Sequence, residues 1–195
     1  MEKADKASAK DLNDEAVQHL NKAIVIDPEY VGARNNLAVL YFKMGKAELA
    51  IAQLEEALRL DPHNATLFTN LSVGRLKINK LDAAERGART AIDPDRTGAT
   101  QARMLLGLAL IRQGKFTAEA LDCFSRSREE YPLARLLAAG VLIAQGKPEK
   151  AKPEIRMYLS SPKPDCRAAA NRWLAPIEQG KETSAMMTPG PGMKD

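Results

Sequence analysis

A spacing of 34 residues recurs through this chain and constrains its fold more than any other feature. KAIVIDPEY at 22–30 lies over EALRLDPHN at 56–64, which sets Ala23 on Ala57 and Pro28 on Pro62. The same offset lays NNLAVLYFKMGK at 35–46 over TNLSVGRLKINK at 69–80. It also stacks Ala16, Ala50 and Ala84, then Ala23, Ala57 and Ala91. A fixed period of this size implies an array of small units, each burying its apolar face only against its neighbours.

The unit itself reads as a helical hairpin. Leu37, Leu40, Tyr41 and Met44 recur at i, i+3, i+4 and i+7, one face of a helix. Gly45 can supply the left-handed residue that ends it, and Asn79, which also tolerates that conformation, takes its place one unit later. Ala50, Leu54, Ala57 and Leu58 form the buried face of a second helix, with alanines small enough for close approach. Asp61-Pro62 stops that helix, because proline lacks a donor and restricts its predecessor. Aromatics are only 5% of the chain and β-branched runs are scarce, so strands have little support.

A 34-residue hairpin with these residues resembles the tetratricopeptide repeat (TPR). A unit begun at Val31 supplies the family's Leu37, Ala38, Tyr41, Ala50, Leu54, Ala57 and Pro62, departing at Arg34. The next supplies Phe68, Leu71, Ser72, Ala84, Ala88 and Ala91, with Arg75 replacing the aromatic and Pro94 two residues early. A third reads Leu106, Gly107, Leu110, Gly114, Ala120, Phe124 and Pro132, with one extra residue in its turn. A fourth, from Arg135, keeps Ala139, Leu142, Gly146, Ala151 and Ile155 before degenerating. The resemblance implies an all-α, right-handed superhelical solenoid of antiparallel helix hairpins, about four to five TPR units, closed by a C-terminal capping helix.

The ends are expected to differ from the array. Residues 1–13 lack the apolar positions of a complete first helix and read as frayed or partial, with the array over 14–164. Residues 165–180 read as the cap, with Ala170, Trp173, Leu174 and Ile177 on one stripe and Trp173 as a packing residue. Pro153 and Pro176 should kink or shorten their helices. Residues 181–195 carry too little apolar content to fold and read as a disordered tail.

Chemistry is sparse. His19 and His63 have no second histidine or cysteine at ligand spacing, so neither metal nor other cofactor is expected. Cys123 and Cys166 read as small, partly buried thiols. The Gly-Lys pairs at 45–46, 114–115 and 146–147 mark interhelical turns and lack the frame of a phosphate loop. No nucleophile, base and orienter set emerges, so the chain reads as a non-enzyme. Glu55-Glu56 and Glu129-Glu130 read as solvated acids near helix ends. The net charge of +4 concentrates in the C-terminal half, but without a dense basic block interleaved with aromatics no nucleic acid is expected. The most apolar window, Leu133 to Ala144, is too short to cross a bilayer, and no membrane insertion is expected. The opening MEKADKASAKDLNDE lacks the apolar core of a signal peptide, so a cytoplasmic location is expected.

What remains is a surface, and the resemblance implies where it lies. In the TPR family the first helices of successive units line a concave groove that receives peptides or partner segments. The matching positions are Asn35, Asn36, Val39, Phe42 and Lys43, then Thr66, Thr69, Asn70, Val73, Leu76 and Lys77. The third unit gives Gln101, Met104, Leu105, Leu108, Ile111 and Arg112; the fourth gives Leu133, Leu136, Leu137 and Ile143, on a helix that either extends the groove or lies buried beneath the cap. Leu105, Leu108 and Ile111 either floor the groove or pack against second helices. Asn36 and Asn70 occupy equivalent places, where amides would serve a guest backbone. Of the family's carboxylate-clamp residues, which hold the acidic C-terminus of heat-shock chaperones, only Asn70 matches, so that clamp is not expected. The implied function is a protein–protein interaction scaffold, an adaptor or assembly factor for a protein or peptide partner. The alternatives are a module self-associating as a homo-oligomer through its N-terminal edge, or a regulatory TPR segment of a larger protein.

Overall fold

A computed structural model describes residues 2–92, 99–162 and 164–180, and the side chains within these ranges from residue 11 onward. The expected positions of Pro94 and of the 181–195 tail lie outside the described residues. The chain divides into two compact units, Met1–Thr97 and Gly98–Asp195. Among the described residues every regular element is a helix.

Unit one holds α1 (Glu2–Ile26), α2 (Val31–Lys43), α3 (Ala47–Leu60), α4 (Ala65–Lys77) and α5 (Leu81–Ala91). Helices α2 and α3 pair as one hairpin and α4 and α5 as the next, with α3 packed on α4 and α1 on α2. The core is built as the pattern requires: Ala38, Ala50, Leu54, Ala57, Leu67 and Leu71 are at most 1% exposed. Phe42 and Tyr41 pack half-buried against this cluster.

The hairpin turns share one construction. Gly45 lies at φ 74°, and its N–H donates to Phe42 O while the Lys46 N–H donates to Tyr41 O at 2.8 Å. Asn79 repeats this at φ 59°, with Lys80 donating to Arg75 O at 2.8 Å. Gly114 and Gly146 do the same in unit two, with Lys115 donating to Leu110 O and Lys147 to Leu142 O. Each pair of bonds satisfies carbonyls that the helix end leaves without partners. Nothing lies within 4 Å of a Cβ added at Gly45, so Gly45→Ala carries only the backbone penalty of the left-handed conformation. It should lower stability by about 1–2 kcal/mol, read as a shift in the urea midpoint followed by circular dichroism.

Two departures from the repeat pattern acquire physical reasons. Arg34 donates through Nη2 to Pro28 O at 3.0 Å and so ties α2 back to the turn before it. Arg75, in place of the aromatic, donates to Ala83 O and reaches Glu55 at 3.4 Å, joining α4 to α5 and α3. Glu55 is therefore an ion-pair partner as well as a solvated acid.

Unit two holds α6 (Thr100–Arg112), α7 (Ala118–Ser127), α8 (Leu133–Ala144), α9 (Pro148–Leu159) and α10 (Arg167–Glu178). The longer turn before α7 lets Thr117 cap that helix, accepting the Ala120 N–H at 3.2 Å. Ser127 stands where alanine stands in the earlier units; its buried hydroxyl donates to Cys123 O at 2.8 Å, which removes the cost of burying it. The last core joins Leu136, Ala139, Leu142, Ala151, Ile155, Tyr158, Ala170 and Ile177, with Trp173 and Leu174 packed on it. Cys123 is buried and Cys166 partly so. Neither α9 nor α10 stops at its proline: Pro153 and Pro176 lie inside the helices. In α9, burial of Ala151, Ile155 and Tyr158 on one face offsets the missing backbone bond. Glu129 is not merely solvated, because Arg135 donates to it at 2.7 Å and to Glu154 at 3.4 Å, while Arg128 meets Glu154 at 3.0 Å.

Candidate functional site

In unit one, α2 and α4 each pair with α3 and touch one another, so their outer faces form one surface. Its polar centre is an amide pair: Asn70 Nδ2 donates to Asn35 Oδ1 at 2.8 Å. Asn36, the residue equivalent to Asn70 by spacing, is exposed and is not its partner. The paired amides leave the other Asn70 N–H, the Asn70 carbonyl and the Asn35 NH₂ for a guest.

Around this pair the side chains sort into two kinds. Val39 is 36% exposed, and Val73 is half-buried on the neighbouring helix. Lys43 and Lys77 end α2 and α4 and are exposed. Thr66 is exposed in the first turn of α4, whose amides are held by Asn64 Oδ1, while Thr69 turns its hydroxyl back to Ala65 O at 2.8 Å. Phe42 and Leu76 face inward. Leu76 is 7% exposed, and the Phe42 ring tip lies 2.7 Å from where a Gly74 Cβ would stand. Glycine at 74 is thus what lets α4 approach the ring.

The corresponding face of unit two is of a different character. Gln101 and Arg112 are exposed and Leu108 and Ile111 half-buried, but Met104 and Leu105 are each only 8% exposed. On α8, Leu136 is 2% and Ile143 5% exposed, Leu137 is half-buried, and Leu133 keeps 38% of its surface. Trp173 of α10 covers Gly140, its ring 3.2 Å from where a Cβ would stand. Leu136 and Ile143 of α8 thus join a core with Ala170, Trp173 and Ile177 of α10.

No group of three or more His, Cys, Asp or Glu side chains is placed to hold a metal among the described residues. Two tyrosines, both in unit two, have shifted titrations. Burial, foremost, raises Tyr158, whose Oη accepts the Cys166 N–H at 2.8 Å; burial and the neighbouring Glu130 raise Tyr131. No described helix is long and apolar enough to cross a membrane.

Three family models match the chain: a TPR repeat over residues 12–45 and tetratricopeptide repeats over 31–64 and 70–135. No curated protein sequence matches. Among solved structures, MamA is 23% identical, with a TM-score of 0.69, covering 80% of this chain and 91% of its own. PilF from Pseudomonas aeruginosa is 22% identical with a TM-score of 0.76, covering 91% and 82%. YrrB, described as a TPR protein with an unusual peptide-binding site, is 22% identical with a TM-score of 0.67, covering 90% and 88%. These likenesses bear on the fold. Together the matched repeats span more than half of the sequence, and the chain belongs to the tetratricopeptide-repeat family, whose repeats build protein-interaction scaffolds.

Proposed function

We propose that this chain is a non-catalytic adaptor or assembly factor that holds an extended peptide or partner segment on the α2–α4 face of unit one. The observation that carries this reading is the Asn35–Asn70 amide pair, set on an open surface beside Val39 and Val73. An extended main chain presents alternating donors and acceptors, which the remaining amide groups can meet, while the valines accept a side chain. The peptide-binding site named for YrrB, a protein of the same fold, is in keeping with it.

The test uses the amides. Asn35→Ala combined with Asn70→Ala removes both partners of one hydrogen bond, leaves no buried group unpaired, and should change stability by less than about 1 kcal/mol. Peptides selected on the wild-type chain from a random display library should bind this variant about tenfold more weakly, as two lost hydrogen bonds imply. Equal affinity with an intact circular dichroism melt would remove the amides from the site.

A second reading, self-association through the N-terminal edge, draws on α1. Leu12, Val25 and Ile26 there are 63%, 80% and 84% exposed. Apolar area left open at the end of an array favours a neighbour. Light scattering over a concentration series decides it, since a monomer throughout rules it out.

A further inference from the structure

Charge is segregated by helix in unit one. The first helices α2 (VGARNNLAVLYFK) and α4 (ATLFTNLSVGRLK) contain no aspartate or glutamate, whereas α3 carries Glu48, Glu55 and Glu56 and α5 carries Asp82 and Glu85. The first turns sharpen the contrast. A helix N-terminus favours an acid, and α3 and α5 follow that preference with Glu48 and Asp82 while α2 and α4 have none. The helix dipole accounts for a lysine in each last turn but not for acids missing where the same dipole would favour them.

The basic groups on this face are also unequal. Arg34 and Arg75 are spent inside the fold, on Pro28 O and on Ala83 O with Glu55. Lys43 and Lys77 are exposed, hold the same place one repeat apart, and have no ion pair or hydrogen bond among the described residues.

We infer that the α2–α4 face takes an acidic extended peptide, with carboxylates on Lys43 and Lys77, main chain on Asn35 and Asn70, and an apolar side chain on Val39 and Val73. This rests on the proposed peptide-binding reading and adds the sign of the partner. Two exposed lysines on helices that carry no acid of their own attract acidic segments from a distance and repel basic ones. The lysines sit at the far ends of the helices, not at the family's carboxylate-clamp positions, so one or two acidic side chains flanking an apolar residue suit the face better than a terminal carboxylate.

The experiment selects peptides from a random display library on the full chain, then measures anisotropy of a labelled selected peptide in a salt series. Enrichment of Asp and Glu, affinity falling with salt, and about a tenfold loss on Lys43→Glu with Lys77→Glu are expected. Lys43→Arg with Lys77→Arg should retain binding, which separates charge from any change of fold. Selected peptides without acidic enrichment that bind the Glu variant unchanged but lose affinity on Asn35→Ala with Asn70→Ala would overturn the acidic partner and leave the groove standing. Peptides indifferent to both variants would overturn the groove as well. A single-stranded oligonucleotide that binds as tightly and with the same lysine dependence would reassign the face to nucleic acid and overturn the proposal.

Discussion

Phe124→Ala should destabilise unit two by about 3–5 kcal/mol, the cost of emptying the volume of a buried aromatic ring. Phe124 is fully buried on α7, and its ring fills the space that glycine leaves at 107 on α6. A Cβ at Gly107 would stand 2.7 Å from Phe124 Cε1, 2.8 Å from Cζ and 3.1 Å from Cδ1. The ring has no solvent-facing side to yield into, so Gly107→Ala must separate α6 from α7 or strain the ring, at about 1–3 kcal/mol. The two sites are complementary. Gly107→Ala with Phe124→Leu should cost less than the sum of the single changes, because the smaller side chain makes room for the methyl group. The lone tryptophan, Trp173, is in unit two, so its fluorescence in a urea titration reports this loss separately from the circular dichroism of the whole chain. An additive double mutant would mean that the ring and the glycine do not share a space.

Much of this arrangement was legible as periodicity. The stops at Gly45, Asn79 and Asp61-Pro62, and the stripe of Ala50, Leu54 and Ala57, follow from backbone chemistry and helical spacing, which are local properties. The amide pair was not legible, for a physical reason. A period superimposes equivalent residues, Asn36 on Asn70, but neighbouring helices touch through residues offset around their faces, and the bond joins Asn35 to Asn70. Spacing shows equivalence; contact depends on how the helices are rotated against each other. Met104 and Leu105 illustrate a second limit, because an apolar residue on a first helix reads alike whether it floors a groove or fills a core. The prolines illustrate a third. Pro153 carries a strong local penalty, yet burial of Ala151, Ile155 and Tyr158 holds α9 continuous through it.

The arginine at 34 and the serine at 127 extend that point to the family pattern itself. A polar residue stands where an apolar or small one is usual, and in each case its donors find backbone carbonyls, Pro28 O for Arg34 and Cys123 O for Ser127. No described buried side-chain nitrogen or oxygen lacks a hydrogen-bond partner. The repeat thus tolerates polar substitution where a carbonyl is within reach, since the cost of burial falls on unpaired groups. Tolerance of size is a separate matter, decided by the distance between helices.

Ala57→Leu tests that distance and should cost unit one about 1–3 kcal/mol. Ala57 is fully buried on α3, in one cluster with Ala38 of α2 and with Leu67 and Leu71 of α4. Three further carbon atoms there must push α4 from α3 or force Leu54 and Leu71 off their rotamers, because interiors this closely packed have no void to receive them. The change sits on α3, yet the effect should reach the surface. The bond from Asn70 to Asn35 spans α4 and α2, so separating the helices beneath it should also weaken peptide binding without touching a groove side chain. Leu58, the next residue on α3, is half-buried, and Leu58→Ala loses area without crowding. Matched for stability in urea, the two variants should differ in peptide affinity, with Ala57→Leu the weaker. Equal affinities would show that the face keeps its geometry independently of the packing below it, and a neutral Ala57→Leu would contradict the close approach that the alanine repeat implies.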